Sequence, residues 1–211
     1  MNQDVIIPWR NVGEPWRKKQ MCIRDSYYSK NFNIIIANNE GEFNRSAARN
    51  RGVAESTSSV SVIIDADNYI PVHQIMDAIK AAERKDILVK PFSSFGYLTE
   101  ESTNLFYEYY DNQYMDFSPT YIEPPQKDFT GGAYVMKKSL WQGLGGMDEG
   151  FIGWGAEDDA FHLLCKKKEI AIKYIPGIDH HLYHPAFRIT SEFNYNKLMK
   201  EYVNGNKSSR K

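Results

Sequence analysis

The feature that most constrains the fold is a series of short apolar runs rich in β-branched residues. Residues 4–9 read DVIIPW, residues 33–37 read NIIIA and residues 60–64 read VSVII. Runs of this length are typical of strands that are buried on both faces of a sheet. Similar runs occur at 87–89, 131–136 and 170–175, and segments at 72–84 and 138–144 have the character of helices. The sequence therefore predicts buried strands that alternate with covering helices.

Composition narrows the class of protein. The chain has 211 residues, 42% of them hydrophobic, and a net charge of -1. It is long enough for one domain, expected over 1–203, followed by a polar tail at 204–211 that is expected to be disordered. The two cysteines, Cys22 and Cys165, form no disulfide framework, and Cys165 lies in an apolar helical pattern. The absence of an apolar run of membrane length, or of a leader, predicts a cytoplasmic protein.

Two aspartates follow the third apolar run. Asp65 and Asp67 come directly after Ile64 in the order Asp-Ala-Asp. Carboxylates at the carboxyl end of a buried parallel strand point into the crevice where α/β folds bind ligands. Asp-x-Asp alone is weak evidence, because aspartates are common at strand ends.

A glycine-rich loop precedes a second acidic group. Residues 143–155 contain several glycines around Trp154, and Glu157, Asp158 and Asp159 then begin an amphipathic run. An indole between glycines can close a site against water. Of three adjacent carboxylates, one can have a raised pKa and act as a general base. The alternative is that the three acids only complement the dipole of the helix that they begin.

The order Gly-Trp-Gly-Ala-Glu-Asp-Asp after Gly-Gly-Met-Asp-Glu-Gly-Phe resembles the C-terminal signature of the β-1,4-galactosyltransferase family and its GT-A relatives. The resemblance implies that Trp154 packs over the donor and acceptor sugars. It also implies that Asp158, the middle carboxylate, is the catalytic base. A bacterial or phage member of the family is expected.

Further segments resemble the donor-binding parts of the same family in the same order along the chain. The resemblance implies that Asp67 binds the metal and that Asp65 contacts the ribose or a metal-bound water. Arg45, Arg49 and Arg51 form a positively charged group suited to phosphate, although surface arginines in solvent explain them too. The remaining residues that the resemblance assigns to the nucleotide-sugar are Pro8, Trp9, Arg10, Phe43, Asn44, Arg45, Gly132, Glu157 and Asp159.

Three histidines follow the last predicted strand. His181 and His184 have the i, i+3 spacing of the last two metal ligands of the resembling enzymes, where methionine stands in place of one histidine in the animal proteins. The resemblance therefore implies that Asp67, His181 and His184 bind Mn²⁺ or Mg²⁺. His180 is expected to point to the other side of its strand.

The resemblance implies an α/β protein with the GT-A fold, a single Rossmann-like domain whose mostly parallel central sheet is covered by helices. The implied activity is inverting transfer of galactose, N-acetylgalactosamine or glucose from a UDP-sugar. A nucleotidyltransferase also needs aspartates, a metal and a nucleotide. That reaction, however, explains neither Trp154 nor the carboxylates that follow it. A sugar-binding module without catalysis is a third reading.

The acceptor has two candidate classes. A glycan end follows from the resemblance, and tyrosines in the aromatic segment 92–125 are candidate stacking residues, namely Tyr107, Tyr109, Tyr110 and Tyr114. A hydroxymethylated base in phage DNA is the alternative, since phages glycosylate their DNA with soluble enzymes. A DNA acceptor needs basic residues that hold its phosphates. The candidates are Arg17, Lys18, Lys19, Arg24, Lys207, Arg210 and Lys211, although all of them can equally be ordinary surface charges in solvent.

Overall fold

The computed structural model describes residues 3–10, 27–38, 41–42, 44–109, 118–185 and 191–205. The strands are β1 (Asp4–Pro8), β2 (Asn33–Ala37), β3 (Val60–Ile64), β4 (Asn68–Tyr69), β5 (Leu88–Lys90), β6 (Ser94–Tyr97), β7 (Gln126–Lys127), β8 (Ala133–Lys137), β9 (Ile172–Tyr174) and β10 (Ile178–His181). The helices are α1 (Arg45–Glu55), α2 (Val72–Arg84), α3 (Glu100–Tyr109), α4 (Lys138–Gly143), α5 (Glu157–Lys167) and α6 (Glu192–Lys197), which continues as a π-helical segment over Leu198–Asn204.

The central sheet has the strand order β2-β1-β3-β8-β5-β9. Strand β1 is parallel to β2 and β3, and β5 is parallel to β9, whereas β8 is antiparallel to both of its neighbours. The α/β class and the mostly parallel sheet are therefore confirmed, with β8 as the reversed strand. Because β8 is reversed, its beginning meets the carboxyl ends of β1, β3 and β5 at one edge of the sheet.

Helices bury both faces of the sheet at β1 and β3, as the apolar runs predict, whereas β2, also expected to be buried, is an edge strand in which Ile36 is 40% exposed. On β1, Val5 and Ile7 face the core that packs against α2, and Ile6 faces the opposite core. That second core includes Phe161 and Cys165 of α5. Cys165 is fully buried with a free thiol, which confirms that it is a small core residue.

A second sheet, which the sequence did not reveal, has the order β4-β10-β6-β7. Its strands have two to four residues, too few to show an alternating pattern. In the antiparallel β10–β4 pair, His181 lies opposite Asn68, and the Leu182 N–H donates to the Asp67 carbonyl at 2.8 Å. This pairing brings the histidine segment beside the Asp-Ala-Asp segment.

Two further expectations concern the C-terminal tail and a membrane-spanning helix. The predicted tail lies mostly outside them, since only Asn204 and Gly205 of that segment are described. Among the described helices, none has the length and apolarity needed to cross a membrane.

Asp4 secures the start of β1. Its buried carboxylate accepts hydrogen bonds from Asn33 Nδ2 at 2.7 Å, from Ser56 Oγ at 2.8 Å and from the Thr57 N–H at 2.7 Å. Burial opposes ionisation of this carboxyl, but the hydrogen bonds outweigh it and lower the pKa to about 2. The ionised carboxylate thus holds the end of α1 and the β2 strand against β1.

We predict that Asp4→Asn lowers the free energy of unfolding at pH 7 by about 1–2 kcal/mol, because charged hydrogen bonds are lost. A depressed native pKa stabilises the fold above the unfolded pKa, so the difference should shrink as the pH falls from about 4 towards 2. Urea unfolding at pH 7 and pH 3 measures this. The exposed Asp77→Asn serves as the control, and an equal loss in both variants contradicts the prediction.

Candidate functional site

The predicted site residues gather along the edge where β1, β3 and β5 end and β8 begins. The Asp65 N–H donates to the Gly132 carbonyl at 2.9 Å and so joins the end of β3 to the start of β8. The second sheet meets this edge from the side of Asp67. Two clusters of polar side chains result, one around Asp67 and one around Asp158.

Asp67, His181 and His184 form the first cluster, and their potential ligand atoms all lie within 4.8 Å of one another. Asp67 Oδ2 is 3.4 Å from His181 Nε2 and 3.2 Å from His184 Nε2. Burial opposes ionisation of Asp67, but the two imidazoles hold the pKa of its carboxyl well below the usual range. The structure thus brings together the three residues that the sequence predicted as metal ligands.

The spacing of these atoms suits a divalent cation. Ligands at neighbouring vertices of an octahedron with bonds of about 2.1 Å lie about 3 Å apart, close to the two separations around Asp67. His184 Nδ1 lies 3.3 Å from the Pro185 carbonyl. A proton on Nδ1 would leave Nε2 unprotonated and able to coordinate a metal, which is the usual outer-shell arrangement of metal-binding histidines.

His180 lies apart from this cluster. Its Nδ1 is 2.9 Å from the Tyr121 hydroxyl, and the two rings are stacked. The alternation of side chains along β10 therefore separates His180 from His181, as the sequence predicted.

The second cluster is built around Arg49, which is fully buried. Its Nη2 donates to both carboxylate oxygens of Asp65, at 2.7 and 2.9 Å, and its Nη1 donates to Asp158 Oδ1 at 2.7 Å. Arg49 is therefore neither the phosphate-binding arginine nor the solvated surface arginine that the sequence suggested, because two carboxylates bind its buried guanidinium. No sequence signal gives this pairing, since the three residues lie on three separate elements.

The two carboxylate oxygens of Asp158, at the beginning of α5, have different surroundings. Oδ1 accepts from Arg49 and from the Tyr134 hydroxyl. Oδ2 faces Gly131, where a side-chain carbon would lie 2.9 Å from it. Tyr134 was missed as a site residue, although it lies within the predicted strand at 131–136.

The neighbouring acids differ in charge state. Burial opposes ionisation of Asp158, but Arg49 and Arg45 outweigh it and lower its pKa to about 2. Burial and the charge of Asp158 raise the pKa of Glu157 to about 7, although Arg45 Nη2 lies 2.5 Å from Glu157 Oε1. Asp159 is exposed and accepts from Thr130 Oγ1 at 2.8 Å. Compared with Glu157, Asp158 is therefore the carboxylate that its neighbours hold ionised and fix in position.

Trp154 lies in the loop before α5 and is 42% exposed. The Arg45 guanidinium is 5.7 Å from the centre of its ring. Asn194 of α6 is fully buried and donates from Nδ2 to the carbonyls of Ile152 and Gly155, both at 3.0 Å. The helix α6 thus secures the loop that carries the indole.

The remaining predicted nucleotide residues have mixed surroundings. Pro8 is buried at the end of β1, and Trp9 Nε1 is buried with no hydrogen-bond partner among the described residues. Arg10 donates to Asn38 Oδ1 at 3.0 Å and to the Gly41 carbonyl. Asn44 caps α1 through the Ala47 N–H and donates to the Glu149 carbonyl. Phe43 lies outside the described residues, and the binding roles of the others stay predictions.

Position 132, in the glycine pair before β8, requires glycine for two structural reasons. Its φ of +87° lies in the left-handed region, and a side-chain carbon would lie 2.7 Å from Asp179 Oδ2. A larger residue fits neither the backbone nor the space. The backbone can therefore approach closely at this edge.

A pocket of about 310 Å³ opens beside His181 and His184. Tyr97 and Tyr183 contribute aromatic surface to it, and Glu123 and Gln126 contribute hydrogen-bonding groups. None of the described residues that line it is a lysine or an arginine. Of the predicted stacking tyrosines, Tyr107 packs beside Leu98 and Phe106, and the side chains of Tyr109, Tyr110 and Tyr114 lie outside the described residues.

Two family models and a curated relative match the sequence. Residues 22–141 match the family model described as "Glycosyl transferase family 2", and residues 113–186 match one described as "N-terminal domain of galactosyltransferase". Mouse "Beta-1,4-galactosyltransferase 7" is 27% identical over 152 residues, which are 69% of this chain. The chain spans 38% of the length of that relative.

Solved structures share the fold. The catalytic domain of Drosophila β-1,4-galactosyltransferase 7, solved with xylobiose, superposes with a TM-score of 0.60 at 15% identity, over 96% of this chain and 81% of that one. GalNAc-T7, solved with UDP, GalNAc and Mn²⁺, superposes with a TM-score of 0.56 at 13% identity, over 93% of this chain and 47% of that one. The predicted GT-A fold is confirmed.

We predict that Asp67→Ala, and likewise His184→Ala, weakens Mn²⁺ binding at least about 10-fold, because each removes a ligand. Electron paramagnetic resonance of Mn²⁺ in the presence of UDP measures free and bound ion. His180→Gln, which keeps a hydrogen-bonding group beside Tyr121, should bind as the wild type does. Wild-type affinity in both ligand variants would show that these residues form no metal site.

Proposed function

The chain belongs to glycosyl transferase family 2, and from that premise we propose that it is a metal-dependent, inverting glycosyltransferase. It transfers galactose, N-acetylgalactosamine or glucose from a UDP-sugar to a hydroxyl of a saccharide. The observation that carries the proposal is the geometry of Asp158, an ionised carboxylate whose Oδ1 is fixed by Arg49 and Tyr134 and whose Oδ2 faces Gly131. This carboxylate borders the same sheet edge as the Asp67–His181–His184 cluster.

The donor side of the proposal rests on the sheet edge and on the relatives. UDP, GalNAc and Mn²⁺ are bound in the GalNAc-T7 structure. In this chain the nucleotide would lie beyond the ends of β1 and β3, where Pro8, Trp9, Arg10 and Asp65 are located. Ligands of open α/β sheets bind at such strand ends.

The residues for the metal are Asp67, His181 and His184. Two imidazole nitrogens and one carboxylate oxygen are a softer donor set than the oxygen-rich sites of Mg²⁺, so the set favours Mn²⁺. These residues would hold a divalent ion, which would supply positive charge to offset the negative charge that the leaving UDP gains.

Asp158 acts as the general base. The acceptor oxygen forms a bond to the anomeric carbon while the bond from that carbon to the diphosphate oxygen breaks. The hydroxyl proton passes to Asp158 Oδ2, and UDP leaves. One displacement inverts the anomeric configuration. Because the pKa of Asp158 is about 2, the proton moves only as the new bond acidifies the hydroxyl.

Trp154 supplies an exposed ring at the mouth of the same site. It precedes Asp158 by four residues, and Asn194 holds the backbone of its loop. An indole at this place packs against the apolar face of a sugar ring.

The pocket beside the histidines favours a saccharide acceptor over DNA. Its tyrosines, Glu123 and Gln126 match the apolar faces and hydroxyls of a sugar, and none of its described lining residues carries the positive charge that a nucleic-acid backbone requires. The basic residues that the sequence offered for DNA lie outside the described residues.

The direct test incubates the protein and Mn²⁺ with a panel of UDP-sugars and simple saccharides. UDP release that depends on acceptor and metal, with an inverted linkage in the product, supports the proposal. Release of pyrophosphate identifies a nucleotidyltransferase instead. Salt-sensitive transfer of labelled sugar to hydroxymethylcytosine DNA, with none to saccharides, identifies a DNA glycosyltransferase. Saccharide binding without turnover identifies a binding module.

We predict that Asp158→Asn lowers kcat by about 100-fold or more, because the amide cannot accept the proton. Affinity for UDP and Mn²⁺, measured by calorimetry, should be largely kept. Asp159→Asn should cost much less. An equal and modest loss in the Glu157, Asp158 and Asp159 amide variants points to helix-start electrostatics instead.

We predict that Gly131→Ala lowers kcat by about 10-fold or more, because the methyl group fills the space that Asp158 Oδ2 faces. The added carbon would lie 2.9 Å from that oxygen and 3.1 Å from the Phe129 ring. Gly143→Ala is the matched control, since nothing lies within 4 Å of the carbon added there. If both variants turn over like the wild type, the acceptor does not approach Asp158 from the side of Gly131.

A further inference from the structure

Lys90, the last residue of β5, is a buried cation that the proposed reaction leaves without a task. Its side chain is fully buried, and no described carboxylate lies within ion-pair distance of it. Burial of an ammonium group is unfavourable unless its donors are satisfied. The burial lowers the pKa of Lys90 to about 7. An apolar side chain would fill the same space without this cost.

Two carbonyls and two aromatic rings surround the ammonium. Nζ donates to the Thr130 carbonyl at 2.7 Å and to the Gly131 carbonyl at 2.5 Å. It also lies 4.1 Å from the centre of the Tyr134 ring and 5.0 Å from that of Phe92. Such cation–π contacts are strongest where water is excluded.

The partners of Lys90 are the groups that border Asp158. Strand register explains this, because Val89 pairs with Val135 in antiparallel strands and Lys90 therefore faces Tyr134. The Tyr134 hydroxyl donates to Asp158 Oδ1, and Gly131 lies against Asp158 Oδ2. One ammonium group thus holds the structures on both sides of the carboxylate.

We infer that Lys90 is a positioning residue for Asp158, which it orients through the Tyr134 ring and the Thr130–Gly131 backbone. The inference rests on the proposed function, because it assigns Asp158 the role of base. Lys90 does not touch the reacting atoms. Its charge also favours the ionised form of Asp158.

Other charged and titratable groups face Asp158 as well, and the test has to separate Lys90 from them. Arg49 and Arg45 of α1 and Lys90 of β5 favour the ionised carboxylate, and so does the hydrogen bond from Tyr134 of β8. Glu157 on the same helix and Asp65 after β3 carry charge of the same sign. Of the groups that favour the ionised carboxylate, only Lys90 and Tyr134 are changed to test the inference.

The experiment compares Lys90→Met, Tyr134→Phe and the double variant, each loaded with Mn²⁺. Lys137→Met on β8, whose partner Asp86 is on the surface, is the matched control. We expect each single variant to lower kcat about 10-fold or more, with the donor KM within about threefold of the wild type, since only positioning is lost. The acid limb of kcat/KM should move to higher pH, because loss of a cation or donor raises the pKa of Asp158.

The double variant tests the route. If Lys90 acts through Tyr134, the double variant should be little worse than the poorer single variant. Independent, additive losses overturn the route through Tyr134. A Lys90→Met enzyme with a lower melting temperature but a wild-type kcat and pH profile overturns the inference, because it shows a purely structural lysine.

Two outcomes, a Lys90→Met variant that does not fold and a wild type without turnover, are resolved by other measurements. If Lys90→Met does not fold, Tyr134→Phe alone decides, since wild-type kcat and acid limb in that variant remove the route. If the wild type turns over no UDP-sugar, the proposed function fails. The Asp158 carboxyl is then followed by ¹³C NMR, assigned with Asp158→Asn, and an unchanged titration in Lys90→Met overturns the inference without reference to activity.

Discussion

The buried guanidinium of Arg49 is the interaction on which the site depends. It joins three separate elements, since it pairs α1 with Asp65 after β3 and with Asp158 at the start of α5. Two neighbouring carboxylates in a largely buried site cannot both ionise at low cost unless a cation lies between them. Removal of one partner from such a buried group costs about 3–5 kcal/mol. The same contact therefore stabilises the packing of α1 and α5 and sets the charge of Asp158.

The parts of the fold that the sequence predicts are those that local pattern determines. DVIIP and VSVII are apolar at nearly every position because helices cover both faces of the sheet there, and the aspartates after VSVII fall at the edge where α/β sheets bind ligands. NIIIA forms the edge strand β2, which is only partly buried. Contacts between distant elements have no such pattern. The pairing of Arg49 with Asp158 depends on the rotation of α1, and the contact of Lys90 with Tyr134 depends on the register of β5 and β8.

The histidine cluster illustrates a motif whose spacing is predictable and whose geometry is not. An i, i+3 pair on a helix shares one face, but His181 ends a strand and His184 lies in the coil after it. The pairing of β10 with β4 carries His181 to Asp67, and the chain then turns so that His184 reaches the same oxygen. The small second sheet, invisible in the sequence, is therefore the structural basis of the candidate metal centre.

The Asp158 cluster and the Asp67 cluster differ in whether the protein alone supplies the partners of the central carboxylate. Around Asp158, Arg49 and Tyr134 already satisfy Oδ1, and Lys90 holds the glycine backbone opposite Oδ2. Around Asp67, one carboxylate faces two imidazoles at distances that a cation would bridge. The protein therefore fixes the proposed base before any ligand arrives, whereas the proposed donor side would be complete only with a metal and a diphosphate. Such a division would leave little reorganisation at Asp158 when an acceptor binds, and pre-organised charge of this kind lowers the barrier to a proton transfer.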